Sequence, residues 1–166
     1  MNFDQDDPPP GPIAESLVAA YRATDYVVDA PDGPIVLRVD AASNALATLM
    51  RALHVGSAAL LTAHNPWSRP TTAADNEAAQ RALEAEIAAH GLRSLPAQGR
   101  DPSGAWPPET SVLVFDLDRE AATMLARRWR QNAFLWVGQP GACCTLAFLR
   151  PTDPVDSVPS PSRGLR

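Results

Sequence analysis

The sequence predicts a single α+β domain in which three to four helices pack on a mixed β-sheet of about six or seven strands. Helix-type spacing of apolar residues alternates with short apolar runs along most of the chain, which indicates helices and strands in mixed order. The prolines cluster at the two ends, where they disfavour regular structure. A length of 166 residues fits one domain with a proper core.

The first half of the predicted domain contains two helices and three strands. Pro31-Asp32-Gly33 is a hairpin-type turn between two apolar runs. Ser43 or Asn44 can cap a helix that Gly56 ends. In chain order the predicted elements are a helix over 13–22, strands over 26–30 and 34–39, a helix that includes 46–53, and a strand over 57–62.

The second half contains two helices and four strands. Thr72 with Asp75 is a capping pair that opens a long helix, and Gly91 ends it. Asp118 caps the last helix. The segment 98–110 holds several Gly and Pro residues and is predicted to be a loop. In chain order the predicted elements are a helix from 72 to 90, strands over 92–97 and 111–115, a helix over 118–129, and strands over 133–137 and 143–149.

Both ends of the chain are predicted to be disordered tails around a domain of residues 13–150. Segment 1–12 is acidic and Pro-rich, and segment 151–166 is rich in Pro and Ser. Together they hold eight of the 17 prolines, so neither can form a helix or an inner strand.

The composition and net charge of the chain argue against nucleic-acid-binding and membrane-spanning proteins. The net charge of -5 argues against nucleic-acid binding, which usually needs a basic face. No apolar run is long enough to span a bilayer, and the acidic N-terminus does not resemble a signal peptide, so we expect a cytoplasmic protein without a membrane partner. All 14 basic residues are Arg, which, with the many Ala and Pro, suggests a GC-rich bacterial source.

Three segments are predicted to converge at one end of the sheet. They are 62–69, which directly follows an apolar strand, 98–111, and 130–132. Their amides can fix a polar ligand, an Arg can grip a carboxylate or phosphate, and Trp side chains can form apolar walls. The candidate ligand-binding residues are Thr62, Asn65, Trp67, Ser68, Asn76, Arg100, Trp106, Ser111 and Gln131.

Two residues of these segments are candidates for catalysis. Glu109 is the carboxylate that lies directly beside an apolar strand, a favourable place for a general base. His64 lies in the polar turn after a strand. The structural alternatives stay open: Glu109 could pair with Arg100 and hold the long loop, and Asn65-Pro66 is common turn chemistry. We predict no cofactor and no metal site, because the sequence contains no dinucleotide fingerprint and no metal-ligand spacing.

Adjacent Cys143 and Cys144 are expected to be structural residues on opposite faces of a strand, since a disulfide between neighbours is strained.

Several motifs in order resemble a known family. They are Thr62-Ala63-x-Asn65-Pro66-x-Ser68, Asn76, Gly99-Arg100-Asp101, Trp106-Pro107-Pro108-Glu109-x-Ser111 and Gln131-Asn132-Ala133. Together they resemble the bacterial domain-of-unknown-function family 3293 over roughly residues 15–150. The resemblance implies a small bacterial protein with no established activity, and it supports the polar cluster as a unit.

Two functions therefore compete. The first is a domain that binds a small polar or anionic ligand. Such a domain would be an enzyme if it also converted the ligand. The second is a regulatory or protein-interaction module in which the same residues only stabilise loops. The sequence does not specify the oligomeric state.

Overall fold

The structure, a computed structural model, describes residues 8–9 and 11–153. Over these residues the predicted α+β architecture is confirmed, with four helices and seven strands. In chain order they are α1 (Glu15–Ala23), β1 (Asp25–Ala30), β2 (Gly33–Leu37), α2 (Asn44–Leu53), β3 (Ala58–Leu61), α3 (Ala73–Ala89), β4 (Ser94–Arg100), β5 (Glu109–Phe115), α4 (Arg119–Arg128), β6 (Ala133–Val137) and β7 (Thr145–Phe148).

The sheet is antiparallel, so the prediction of a mixed sheet is wrong. Its strand order is β2-β1-β4-β5-β3-β6-β7, and each neighbouring pair runs antiparallel. Alternating helices and strands favour parallel crossovers. Here the pairs β1–β2, β4–β5 and β6–β7 are joined directly as hairpins. The longer connections also bring each strand back antiparallel to its neighbour. The sheet curls into a half-barrel, and bridges from Val39 to Cys144 and from Ala42 to Cys143 bring its two edges together.

The helix starts follow the predicted capping residues. The side chains of Ser43, Thr72 and Asp118 accept hydrogen bonds from backbone N–H groups in the first turns of α2, α3 and α4. Gly56 was the wrong terminator for α2: His54 ends this helix in the left-handed conformation, with φ 56°.

Strand β4 is longer than predicted and runs to Arg100. Gln98 pairs with Thr110, and Gly99 pairs with Glu109. Pro96 and Gly99 are both disfavoured in strands, but pairing on both sides of β4, with β1 and β5, outweighs their local preference.

A core covers each face of the sheet. On the first face, Leu60, Leu113 and Phe115 pack with Leu46 and Met50 of α2. On the second face, apolar residues of β3, β5 and β6 pack with α3 and α4. These rigid layers hold the strand ends in fixed positions, which matters for the polar groups that follow them.

The chain segments before α1 and after β7 contact each other. Ile13 forms a parallel bridge with Thr152, and the Asp153 N–H donates to the carbonyl of Ile13. Most residues of the two predicted tails lie outside the described residues. Within the described chain, no helix is long and apolar enough to cross a membrane.

The adjacent cysteines lie just before β7, in isolated bridges rather than in the predicted strand over 143–149. Cys143 is exposed and Cys144 is buried, as expected for neighbours on opposite faces. Burial raises the pKa of the Cys144 thiol to about 11, so this side chain packs as a neutral group.

Candidate functional site

The antiparallel topology brings the predicted segments to one end of the sheet. β3 ends there, and its neighbours β5 and β6 begin there. The segment after β3, the loop between β4 and β5, and residues 129–132 before β6 therefore lie side by side. The convergence that the sequence suggested follows from the register of these strands.

The segment after β3 has an unusual backbone. Asn65, Trp67 and Ser68 all have left-handed φ angles, of 46°, 55° and 57°. Asn tolerates this conformation better than most residues, whereas for a bulky side chain such as Trp it costs roughly 1–2 kcal/mol. Trp67 is nevertheless held, because its side chain is buried and its N–H donates to the carbonyl of Arg130. Such strain is concentrated at functional sites in proteins.

Asn65 and Asn76 hold this segment against the start of α3. The Asn65 N–H donates to Asn76 Oδ1 at 2.8 Å, and Asn76 Nδ2 donates to Asn65 Oδ1 at 3.0 Å. Asn65 Oδ1 also accepts from the Thr71 N–H at 3.2 Å. The acceptor capacity of Asn65 is thereby filled, so these two amides act as a structural clasp rather than as free ligand-binding groups.

Glu109, at the start of β5, is attached to the clasp by one hydrogen bond. Asn65 Nδ2 donates to its Oε1 at 2.6 Å. The side chain is half-buried, and among residues 8–9 and 11–153 its other oxygen, Oε2, has no hydrogen-bond partner. Glu109 therefore presents an acceptor that the fold does not use.

Arg100 does not pair with Glu109. In the register of β4 and β5, Gly99 lies opposite Glu109, so the next residue, Arg100, projects to the other face of the sheet. Its side chain is exposed, and the described residues contain no ion pair between the two. The structure thus separates Arg100 from the group at Glu109.

His64 is near enough to this carboxylate for its charge to act on the imidazole, and one imidazole nitrogen is unsatisfied. Its Nε2 is buried and has no hydrogen-bond partner in the described chain. Burial lowers the pKa of His64, and the negative charges of Glu109 and Glu77 oppose that shift. The imidazole is therefore neutral near pH 7, with one buried nitrogen left unpaired.

A second polar group, which sequence reasoning missed except for Ser68, adjoins the first. The hydroxyls of Tyr21 and Ser68 are 2.8 Å apart. Asn132 Nδ2 donates to Ser68 Oγ at 2.9 Å, and an Arg150 guanidinium nitrogen donates to Asn132 Oδ1 at 2.9 Å. Asn132 could have been identified from the sequence, because it lies in a predicted loop directly before an apolar strand. No sequence pattern connects Tyr21 or Arg150 with Ser68.

Three further predicted residues brace the loops. Thr62 Oγ1 donates to the Thr110 carbonyl at 2.7 Å. Ser111 is buried, and its Oγ donates to the carbonyl of Glu109 at 3.2 Å. Gln131 is also buried, and its Nε2 donates to the His64 carbonyl at 3.2 Å. Their hydrogen bonds satisfy the backbone where the three segments meet.

Trp106 lies apart from these groups, on the loop between β4 and β5. Its exposed fraction is 63%. Asp101 organises the loop by accepting from the N–H groups of Ser103 and Ala105, both at 2.9 Å. Hydrogen bonds from the Ser103 side chain and from backbone N–H groups lower the pKa of Asp101. The carboxylate thus remains charged and holds the loop that presents Trp106.

Other surface features do not add to this group. A depression of about 420 Å³ lies on α4, lined by Arg119, Glu120, Thr123, Met124 and Arg127, and it contains none of the predicted site residues. Among the described residues, no three His, Cys, Asp or Glu side chains are arranged to hold a metal ion.

Comparison with known proteins gives one result. A family model described as "Protein of unknown function (DUF3293)" matches residues 61–134, a stretch that runs from the end of β3 into β6. No curated protein and no solved structure matches the chain. The matched stretch includes the Asn65–Asn76 clasp, His64, Glu109 and Asn132, but neither Tyr21 nor Arg150.

Proposed function

We propose that this protein, of which residues 61–134 match the model of the DUF3293 family of proteins of unknown function, binds a small polar or anionic molecule at the end of its sheet. The binding groups are Glu109 and His64, which we call the Glu109 site. Asn65 and Asn76 hold the site in place.

The observation that carries this proposal is the pair of unused polar atoms at Glu109 and His64. Glu109 Oε2 and His64 Nε2 have no partners among the described residues, although their neighbours are hydrogen-bonded throughout. Buried polar atoms are normally paired, and an unpaired one such as His64 Nε2 lowers stability unless something binds it. Glu109 Oε2 is a solvent-accessible acceptor beside a half-buried hydrogen bond. A ligand with hydrogen-bond donors would satisfy Glu109, and one with either a donor or an acceptor would satisfy the neutral His64.

The strained backbone supports the same proposal. A segment that only joined β3 to α3 would be more stable with Gly at its left-handed positions. Instead Asn65, Trp67 and Ser68 adopt these conformations, which directs Asn65 towards Glu109 and Ser68 towards Tyr21. If the bound molecule reacts, Glu109 or His64 would transfer the proton, since each can act as a general base.

A protein-interaction module is the second candidate, and Trp106 favours it. A Trp that is 63% exposed on a loop held by its own hydrogen bonds is typical of a contact residue for a partner protein. The clasp between Asn65 and Asn76 would then serve only the stability of the domain.

A thermal-shift screen of small polar metabolites tests the proposal. A ligand at 100 times its dissociation constant stabilises the folded state by about 2.7 kcal/mol, which raises Tm by about 5–10 °C for a domain of this size. The Glu109→Gln variant should keep its own Tm, because the Gln side-chain oxygen still accepts from Asn65, but it should lose most of the ligand-induced shift. Glu120→Gln, on the exposed surface of α4, is the matched control and should respond as the wild type does.

Two results would contradict the small-molecule function. One is a screen without any stabilising compound, and the other is a compound that stabilises wild type and Glu109→Gln equally. A protein partner whose affinity falls in Trp106→Ala and not in Glu109→Gln would favour the interaction module instead.

A further inference from the structure

We propose that Ser68, Tyr21, Asn132 and Arg150 form an anion subsite that receives the carboxylate or phosphate group of the ligand. The proposal deepens the proposed function and rests on it, because this group adjoins the Glu109 site through the segment 65–68. It names the part of the ligand that lies farther from Glu109.

The hydroxyl protons of Ser68 and Tyr21 cannot both be used within the described structure. The two hydroxyls share one hydrogen bond of 2.8 Å, and either oxygen can be its donor. Whichever donates, one hydroxyl proton is left over. No other acceptor for it exists among the described residues, and the Ser68 side chain is exposed. The pair is therefore a hydrogen-bond donor towards the outside.

The direction of the remaining hydrogen bonds strengthens this donor character. Arg150 donates to Asn132 Oδ1, which settles the orientation of the Asn132 amide, because a guanidinium can only donate. The Asn132 nitrogen then faces Ser68 Oγ and donates to it. The hydrogen bonds thus form a chain in which Arg150 donates to Asn132 and Asn132 donates to Ser68. In such a chain each hydrogen bond polarises the next one. The outward hydroxyl proton therefore prefers an anionic acceptor.

Arg150 supplies an uncompensated positive charge behind the subsite. Its guanidinium is half-buried and donates to Asn132 and to the backbone carbonyls of Pro9 and Gly11. All three acceptors are neutral, and no carboxylate pairs with Arg150 in the described chain. These contacts use three of the five donors of a guanidinium. The charge is thus positioned by neutral groups and remains available to an anion.

The charges of Glu109 and Arg150 both affect the pKa of Tyr21. Burial raises the pKa of Tyr21, and its hydrogen bonds with Ser68 and Asn132 lower it. Smaller effects come from the negative charge of Glu109, which raises the pKa, and from the positive charge of Arg150, which lowers it. Tyr21 is therefore a neutral donor near pH 7, and both charges act on it although the described residues contain no ion pair between Glu109 and Arg150. The ligand class that fits has an anionic oxygen group at Ser68 and a hydrogen-bond donor, such as an amine, at Glu109.

Titration with simple anions tests the subsite. The full chain, labelled with ¹⁵N, is titrated with sodium phosphate and separately with sodium acetate, each at the ionic strength of a sodium chloride reference. Either anion should shift the Asn132 side-chain amide signals at concentrations up to about 50 mM, since a few charged hydrogen bonds support affinity in the millimolar range. The phosphate and acetate arms show which anionic group the subsite takes.

Substitutions connect the binding to the named groups. Ser68→Ala should weaken anion binding about 10-fold or more, and Tyr21→Phe should weaken it to a smaller extent because Ser68 keeps its own proton. Ser94→Ala removes an exposed serine on β4 and should bind as the wild type does. Both test variants change single polar atoms and should remain folded.

The outcomes separate this proposal from the proposed function. If neither anion shifts the Asn132 amide beyond the chloride reference, or if Ser68→Ala binds equally well, the subsite is refuted. A metabolite whose stabilisation depends on Glu109 would still uphold the Glu109 site in that case. If the anions bind through Ser68 and no metabolite depends on Glu109, the subsite stands and the wider function fails.

Discussion

Replacing Asn65 with Ala should lower the stability of the domain more than any other single change at the polar end of the sheet. The Asn65 side chain makes three hydrogen bonds, to Glu109 Oε1 at 2.6 Å, from Asn76 Nδ2 at 3.0 Å and from the Thr71 N–H at 3.2 Å. Asn76 is only 7% exposed, so its amide would lose a partner that water replaces poorly.

The expected magnitude follows from these contacts. The bond to the carboxylate contributes about 1.5 kcal/mol, and the other two contribute about 0.5–1 kcal/mol each. The left-handed φ of 46° adds roughly 1 kcal/mol, because Ala tolerates this conformation less well than Asn. The free energy of unfolding should fall by about 3.5–4.5 kcal/mol, which corresponds to a decrease in Tm of about 10–15 °C.

Urea denaturation followed by circular dichroism measures this change. Asn65→Gly should lose less than Asn65→Ala, since it removes the same side-chain bonds but relaxes the backbone. Asn44→Ala, at the exposed first position of α2, is the control and should stay within about 0.5 kcal/mol of the wild type. A loss below about 1 kcal/mol for Asn65→Ala would refute the clasp.

Three further predictions concern the core, the histidine and the exposed loop. Leu113→Ala should cost about 2–5 kcal/mol in denaturation experiments, because Leu113 is 1% exposed in the first core; a loss below about 1 kcal/mol would contradict its central place in the sheet. His64 has a lowered pKa in the folded state, so the unfolded chain takes up its proton first as the pH falls below about 6.5. Wild type should lose stability relative to His64→Phe between pH 7 and the lowered pKa, and parallel pH profiles of the two proteins would exclude this linkage. Trp106→Ala should leave the free energy of unfolding within about 0.5 kcal/mol of the wild type, since the side chain is mostly exposed, and a larger loss would show that Trp106 packs against the domain.

Local signals in the sequence were sufficient for much of the fold. The caps at Ser43, Thr72 and Asp118 are correct because each depends on contacts within three residues along the chain. The extension of β4 was not predictable in this way: Gln98 and Gly99 are strand residues only because β1 and β5 pair with them. The direction of the strands likewise depends on long connections, whose return path is not visible in residue spacing.

The candidate site was predictable in part for the same reason. The clasp and Glu109 come from polar residues that directly follow or precede apolar strands, a pattern that the sequence shows. Arg100 lies near Glu109 along the chain and is the cation that the sequence suggests for the site, but the alternation of side chains in β4 turns it to the other face. Arg150, which does lie behind Ser68, is 82 residues away from it along the chain, and the pairing of β7 with β6 and of β6 with β3 brings the two together.

The bridge between Ile13 and Thr152 makes a circular permutation of the domain feasible. Because Ile13 is hydrogen-bonded to both neighbours of Thr152, Pro151 and Asp153, a short linker could join Thr152 to Ile13, and new ends could be opened in the loop between β4 and β5. Every strand pair would be kept, but β4 and β5 would change from a local hairpin into the most distant partners along the chain. Such a circular permutant should reach similar stability yet fold more slowly, because folding rates fall as the sequence separation of contacts grows. The position of this bridge beside Arg150 means that the linker would also pass the anion subsite.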